Sequence, residues 1–179
     1  TLTNNHDTDR FMSLPGATFD GAMMHTAFIL STRGIPQLYY GEEIAMTGGH
    51  DPYNRKDFLW NKVPKQIDPK ATSYTISADD RFFHFTSQWI KLRKRIRALR
   101  YGKTVELSYD DDAYVFARVL EEDQSKRFRE NSYAVVGFNY SKTAKNVKIV
   151  DRFFQDLLRV KAILKSENQI RSFPSNERG

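Results

Sequence analysis

A short apolar run, IPQLYY at residues 35–40, restricts the possible folds of this chain more than any other feature. Glycine stands on both sides of it, and the apolar residues of the preceding stretch, residues 19–33, lie nearly all round a helix, which is typical of wide burial. Gly34 suits a helix C-terminus, and Pro36 prevents continuation. Residues 1–3 resemble the tail of another strand. A strand tail, a helix and a buried parallel strand in this order predict an α/β fold with right-handed crossovers.

The second half of the chain has a different pattern of apolar residues. Residues 82–101 carry one apolar stripe with steps of four, three, four and three residues, which predicts a helix that Gly102 ends. Strands are then predicted at residues 105–107, 113–120, 132–140 and 144–150, with a charged hairpin loop at 121–131. The sequence therefore predicts two domains, residues 1–102 and a mostly β domain at 103–179.

Composition excludes several classes of site. The chain has no cysteine, which excludes disulfides and thiolate metal sites, and it has no apolar stretch long enough for a membrane span. Seven basic residues at 91–103 are compatible with nucleic-acid binding, but they lie opposite the apolar stripe and favour a solvated helix face. Three adjacent acids at 110–112 lack the alternating spacing of a calcium loop, so we expect a solvated turn. We expect no nucleic-acid partner and no membrane partner.

Two polar clusters, NNHDTDR at residues 4–10 and GGHDPYNRKDF at 48–58, follow the two predicted strands. Barrel enzymes place their catalytic groups at the carboxyl ends of strands. A structural cap would explain one His-Asp pair, but it explains two such pairs on neighbouring strands less well. The second cluster also lies in a long segment of little periodicity, residues 41–81, and segments of this kind are usually functional or disordered.

Asn5, His6 and Asp7, followed by Arg10, resemble the last conserved block of the α-amylase superfamily of glycoside hydrolases. Residues 48–60 resemble a loop of its neopullulanase, cyclomaltodextrinase and surface α-amylase members. The resemblance implies that residues 1–102 are the last part of a (β/α)8 catalytic barrel, from the end of strand seven to helix eight. It also implies that residues 103–179 form an all-β C-terminal sandwich domain.

The resemblance implies retaining cleavage of α-glucosidic bonds in starch, maltooligosaccharides or cyclodextrins, by hydrolysis or by transglycosylation. Asp7 would be catalytic as the stabiliser of the transition state, and His6 would bind the same sugar. The implied substrate-binding residues are Asn5, Arg10, Asp51 and Arg55. The sequence leaves open whether three aromatic residues line the wall of the site or belong to the core, namely Tyr39, Tyr40 and Trp60. No metal ligand and no cofactor are expected, while calcium stays open for the full-length enzyme.

The family's nucleophile and acid/base motifs do not occur in this sequence. The segment GATFDG at residues 16–21 lacks an Arg two residues before its Asp, so Asp20 is interpreted as a helix N-terminal residue. We therefore expect a C-terminal portion that is inactive alone, with the missing N-terminal barrel half as its partner and with uncovered apolar faces that favour self-association. The alternative is a non-catalytic sugar-binding or assembly module on residues 103–179. Localisation is not predicted, since cytoplasm, periplasm and cell surface all stay open.

Overall fold

The computed structural model describes residues 1–2, 4–65, 78–121 and 131–149, together with the backbone of residues 162–164. The chain divides into two compact units. The first consists of residues 1–30 and 34–94, and the second of residues 31–33 and 95–179. This division falls a few residues before the predicted boundary at residue 102, and the assignment of the two predicted domains stays a prediction.

Helix α1, Phe19–Ser31, confirms the first predicted helix, although it ends two residues earlier than expected. Thr18 begins it, since its Oγ1 accepts a hydrogen bond of 3.0 Å from the Gly21 amide, and Asp20 lies in the first turn as predicted. At the other end, the buried Arg93 donates to the carbonyl oxygens of Leu30 at 2.9 Å and Gly34 at 2.7 Å. A cation therefore satisfies one of the last carbonyls of α1, where the helix dipole favours positive charge, together with the Gly34 carbonyl just after the helix.

Residues 35–40 are not the buried strand that the sequence predicts. Thr1 and this run are joined as in a parallel ladder, because the Thr1 nitrogen donates to the Ile35 carbonyl at 2.7 Å and the Gln37 amide to the Thr1 carbonyl at 2.9 Å. No strand is assigned here among the described residues, and Ile35 is 86% exposed. A parallel strand is buried only where layers cover both of its faces, and this run lacks such cover within the described residues. The predicted strand tail at residues 1–3 includes residue 3, which lies outside the described residues.

The predicted helix at residues 82–101 is two helices, α2 at Ala78–Arg95 and α3 at Arg97–Tyr101. Ile96 has an extended backbone and separates them. Three members of the predicted stripe, Phe85, Trp89 and Leu99, are buried, each within its own unit. Gly102 ends α3 as predicted, and a Cβ at this position would lie 2.6 Å from the Ala98 carbonyl oxygen.

The second unit contains two antiparallel sheets. Strands β1, Lys103–Tyr109, β2, Ala113–Leu120, and β3, Ser132–Asn139, form one sheet in that order, while β4, Lys145–Val147, pairs with β5, Ala162–Leu164. Strands β1 to β4 confirm the four predicted strands with small shifts at their ends, whereas β5 lies beyond them. Most of the predicted loop at 121–131 lies outside the described residues. One face of the first sheet is an apolar core to which β4 also contributes. Its members are Leu107, Val115, Ala117 and Val119, with Val105, Tyr133, Val135, Val147 and Ile149 packed against them.

In the acidic turn at residues 110–112, the carboxylates of Asp110 and Asp112 form ion pairs with Lys145 and are not only solvated. The Asp110 carboxylate accepts hydrogen bonds from the amides of Asp112 and Ala113, and the Lys145 ammonium lies 2.7 Å from Asp110 and 3.0 Å from Asp112. The hydrogen bond from Lys145 lowers the pKa of Asp110, and the same bond raises the pKa of Lys145. Within the described ranges, no three His, Cys, Asp or Glu side chains are grouped so that they could hold a metal ion. None of the helices described is long and apolar enough to span a membrane.

Candidate functional site

Residues 4–10 form a tight turn that presents His6 and Asp7 to solvent. The Asn5 Oδ1 accepts a hydrogen bond of 2.8 Å from the Asp7 amide, and the Thr8 Oγ1 accepts one of 3.1 Å from the Asn5 amide. The side chains of His6 and Asp7 are 58% and 62% exposed, and His6 Nε2 lies 3.3 Å from Asp7 Oδ1. Asn5 therefore builds the turn that carries the other two residues of the block.

Arg55 joins this turn to the second polar segment. Its Nε lies 2.6 Å from Asp51 Oδ1, and its Nη2 lies 3.4 Å from Asp7 Oδ1. The same Nε also donates to the His6 carbonyl oxygen at 3.1 Å. The structure thus brings together four of the six predicted site residues as one charged rim, with a half-exposed guanidinium between two exposed carboxylates.

Arg10 lies inside the protein rather than on this rim. It is 1% exposed, and it donates from Nε to the Asn54 carbonyl at 2.9 Å and from Nη1 to the Tyr40 carbonyl at 2.6 Å. Its guanidinium also lies 4.5 Å from the Tyr39 ring centre and 4.6 Å from that of Tyr40. The predicted contact between Arg10 and a sugar would require this packing to open. Tyr39 and Tyr40 pack against Arg10, whereas Trp60 is exposed.

Two further contacts connect the polar segments. The Arg10 amide donates to the Gly48 carbonyl at 2.8 Å, and a Cβ on Gly48 would lie 2.6 Å from the Tyr53 carbonyl oxygen, so only glycine fits this approach. At the surface, Asp9 Oδ1 lies 2.7 Å from His50 Nδ1. The second glycine of the GGHDPYNR segment has no such restriction, since a Cβ on Gly49 would meet open space.

Asn54 is a residue of this site that the sequence did not reveal. It lies in a short 3-10 helix, Tyr53–Arg55, with no exposed surface, and its Nδ2 donates to the carbonyl oxygens of His6 at 2.9 Å and Thr8 at 3.0 Å. Its backbone oxygen also accepts the bond from Arg10. No periodicity or charge pattern marks an asparagine of this kind, because its partners lie more than forty residues away along the chain.

The side chain of Asn4 points away from the exposed rim. Asn4 is buried, and it lines a small cleft together with His25, Met46 and Phe82. His25 stacks on the Phe11 ring at 4.7 Å, and burial lowers its pKa. The start of the turn therefore belongs to the interior of the first unit, while its tip belongs to the rim.

Comparison with known proteins places these segments in a family. The family model for the α-amylase catalytic domain matches residues 1–136. A cyclomaltodextrin glucanotransferase from Bacillus sp. (strain 1-1) is 36% identical over 120 residues, which are 67% of this chain and 15% of that protein. A cyclomaltodextrinase from Geobacillus thermopakistaniensis (strain MAS1) is 35% identical over 111 residues, which are 62% of this chain and 17% of that protein.

A solved structure agrees with these relatives. An α-amylase from Anoxybacillus superposes with a TM-score of 0.62 at 26% identity, covering 82% of this chain and 28% of that one. The chain thus spans less than a third of the length of each protein compared. Because the family model spans most of the sequence, the chain belongs to the α-amylase family of glycoside hydrolases, which act on α-glucans and whose catalytic domain is a (β/α)8 barrel.

Proposed function

We propose that the rim formed by His6, Asp7, Asp51 and Arg55 is one wall of an α-glucan site in an α-amylase-type glycoside hydrolase. The observation that carries the proposal is the Arg55 guanidinium, which bridges Asp7 and Asp51 while all three side chains stay open to solvent. Buried ion pairs of this kind would only support the fold, whereas an open rim can exchange its contacts for sugar hydroxyls. The names of the cyclomaltodextrin-acting relatives support α-glucans as the substrate class.

Each rim residue has a role that fits its chemistry. A carboxylate accepts two hydrogen bonds at once, so Asp7 would hold two neighbouring hydroxyls of the sugar at which cleavage occurs. That contact would strengthen as the ring flattens toward the oxocarbenium-like transition state, and it would therefore contribute to catalysis rather than to binding alone. His6 would donate to the same sugar, and Asp51 with Arg55 would hold its far edge.

Retaining cleavage requires a nucleophile and an acid/base about 5 Å apart. In the family resemblance these groups lie on earlier barrel strands, and neither motif occurs in this sequence. We propose that both come from outside these 179 residues, that the residues of the other barrel strands are the partner of this rim, and that this chain alone is inactive. Several large apolar side chains of the first unit are exposed, among them Leu2, Leu14 and Ile35, and they support the further proposal that the chain associates with itself or with that partner.

Assay of the purified chain on soluble starch and cyclodextrin tests this proposal. We expect no release of reducing ends above the buffer rate. The Asp7→Asn variant, prepared identically, is the control for contaminating amylase. Hydrolysis that disappears in the Asp7→Asn variant would contradict the proposal, because the chain itself would then hold the complete machinery.

For the second unit we propose a β-sandwich domain, supported by two antiparallel sheets and by Val147 of β4 packing on the core face of the other sheet. A second candidate function, a sugar-binding module on this unit, is supported by one observation. Tyr109 and Tyr140 are exposed; Tyr109 is the cross-strand partner of Tyr114, and Tyr140 directly follows β3 at the same end of the sheet. Exposed rings suit stacking on sugar faces. A change of fluorescence or NMR signal at these tyrosines on adding maltotriose would support this candidate over the rim.

A further inference from the structure

The exposed turn that carries His6 and Asp7 is held from below by one buried side chain. Asn54 places its single side-chain nitrogen between two carbonyl oxygens of the turn, those of His6 and Thr8, at 2.9 and 3.0 Å. These carbonyls flank Asp7 on both sides. The peptide that precedes Asp7 and the peptide that follows Thr8 are therefore held by the same group.

We propose that Asn54 is a positioning residue for sugar recognition, which sets the orientation of the Asp7 carboxylate relative to Arg55. The inference rests on the proposed function of the rim. Asn54 has no exposed surface, so it acts through the turn and does not touch the sugar. Asp7 and Arg55 are both exposed and meet at 3.4 Å, a long contact that does not by itself fix a flexible carboxylate.

The chemistry of the amide explains why asparagine suits this position. An asparagine nitrogen carries two N–H donors, and the turn offers two acceptors. Aspartate has the same shape but only acceptor oxygens when ionised, so it would face two carbonyl oxygens with no donor between them. The substitution Asn54→Asp therefore removes the two hydrogen bonds while it preserves side-chain volume.

Asn54 is itself fixed by the residues beneath it. The buried Arg10 donates to its carbonyl oxygen at 2.9 Å, and Gly48 approaches so closely that a Cβ there would lie 2.9 Å from the Asn54 Cα. Arg10, Asn54 and the turn thus form a continuous chain of contacts from the interior of the first unit to the exposed rim. A support of this kind limits the positions that Asp7 can adopt before a sugar arrives, which lowers the ordering cost of binding.

The test compares Asn54→Asp with Asn61→Asp in the complete chain. Asn61 is an exposed asparagine in a nearby 3-10 helix, Trp60–Lys62, so the control adds the same charge to the same segment. Maltotriose is the probe, and its affinity is measured by NMR titration of the 15N-labelled chain. We expect Asn54→Asp to weaken maltotriose binding at least tenfold and to shift the amide signals of residues 6–8, while Asn61→Asp changes affinity less than twofold.

A variant matched in stability separates positioning from general destabilisation. Ile29→Val removes part of a buried side chain in the first unit and is expected to lower the thermal midpoint without changing maltotriose affinity. If Asn54→Asp does not fold, Asn54→Ser, which retains one donor, replaces it and is expected to bind at least threefold more weakly than the original chain.

The possible failures are distinguishable. If the unaltered chain binds maltotriose and the folded Asn54 variant binds it equally well, the positioning role is wrong and the proposed rim stands. If the unaltered chain does not bind maltotriose at all, the proposed rim is wrong, and the role of Asn54 in sugar recognition is overturned with it.

Discussion

Replacing Arg10 with methionine separates two roles for this arginine. The sequence predicts that Arg10 binds sugar, whereas the structure buries it beneath the two polar segments. Methionine fills a similar volume but donates no hydrogen bond, so Arg10→Met leaves the buried carbonyl oxygen of Asn54 and the partly buried one of Tyr40 without their donors. Each carbonyl oxygen left without a donor costs about 1–3 kcal/mol. Part of this cost is offset because the variant no longer buries a charged guanidinium. We expect a net loss of about 2–4 kcal/mol in the free energy of unfolding.

Urea unfolding followed by tryptophan fluorescence measures this loss. Both tryptophans, Trp60 and Trp89, lie in the first unit, so the signal reports the part of the chain that contains Arg10. The matched variant is Arg55→Met, the same change at a half-exposed arginine, which is expected to cost about 1 kcal/mol or less. An Arg10→Met variant that loses less than about 0.5 kcal/mol in the free energy of unfolding while losing maltotriose binding would refute the structural role of Arg10.

Three further predictions concern other parts of the chain. Arg93→Met removes two hydrogen bonds at the end of α1 and should cost the first unit about 2–4 kcal/mol by the same urea assay. Burial lowers the pKa of His25 from 6.5, so as the pH falls the unfolded state takes up this proton before the folded state does. The free energy of unfolding should therefore decrease as the pH drops below 6.5. His25→Gln should reduce this pH dependence, as measured by urea midpoints from pH 7.5 to 5. The Lys145→Met variant should raise the pKa of Asp110 toward 3.8, as followed by NMR of the carboxyl carbon.

Local elements were predictable because their signals are local. Helix α1 has apolar residues nearly all round it and a glycine soon after its end, and β2 lies where the apolar run between two turn signals places it. The break at Ile96 was not predictable from the stripe, since periodicity reports which residues are buried and not whether the helix is continuous. The exposure of Ile35 was likewise not predictable, because an apolar strand pattern does not show whether other layers cover the strand on both faces.

The site was predictable only in part, and for a similar reason. The resemblance selected the rim residues His6, Asp7, Asp51 and Arg55, which the structure brings together. It did not separate residues on the rim from residues that support it. The buried position of Arg10 and the hydrogen bonds of Asn54 arise from contacts between residues 30 to 48 positions apart, for which no local pattern exists.

The most direct test of the central claim is an NMR titration of the 15N-labelled chain with maltotriose, repeated on Asp7→Asn and on Asp20→Asn, an exposed aspartate in the same unit. We predict that the amide signals of residues 5–10 and 48–55 shift, that Asp7→Asn abolishes these shifts, and that Asp20→Asn retains them. Shifts confined to the second unit, or shifts that persist in Asp7→Asn, would contradict the assignment of the rim as the α-glucan site.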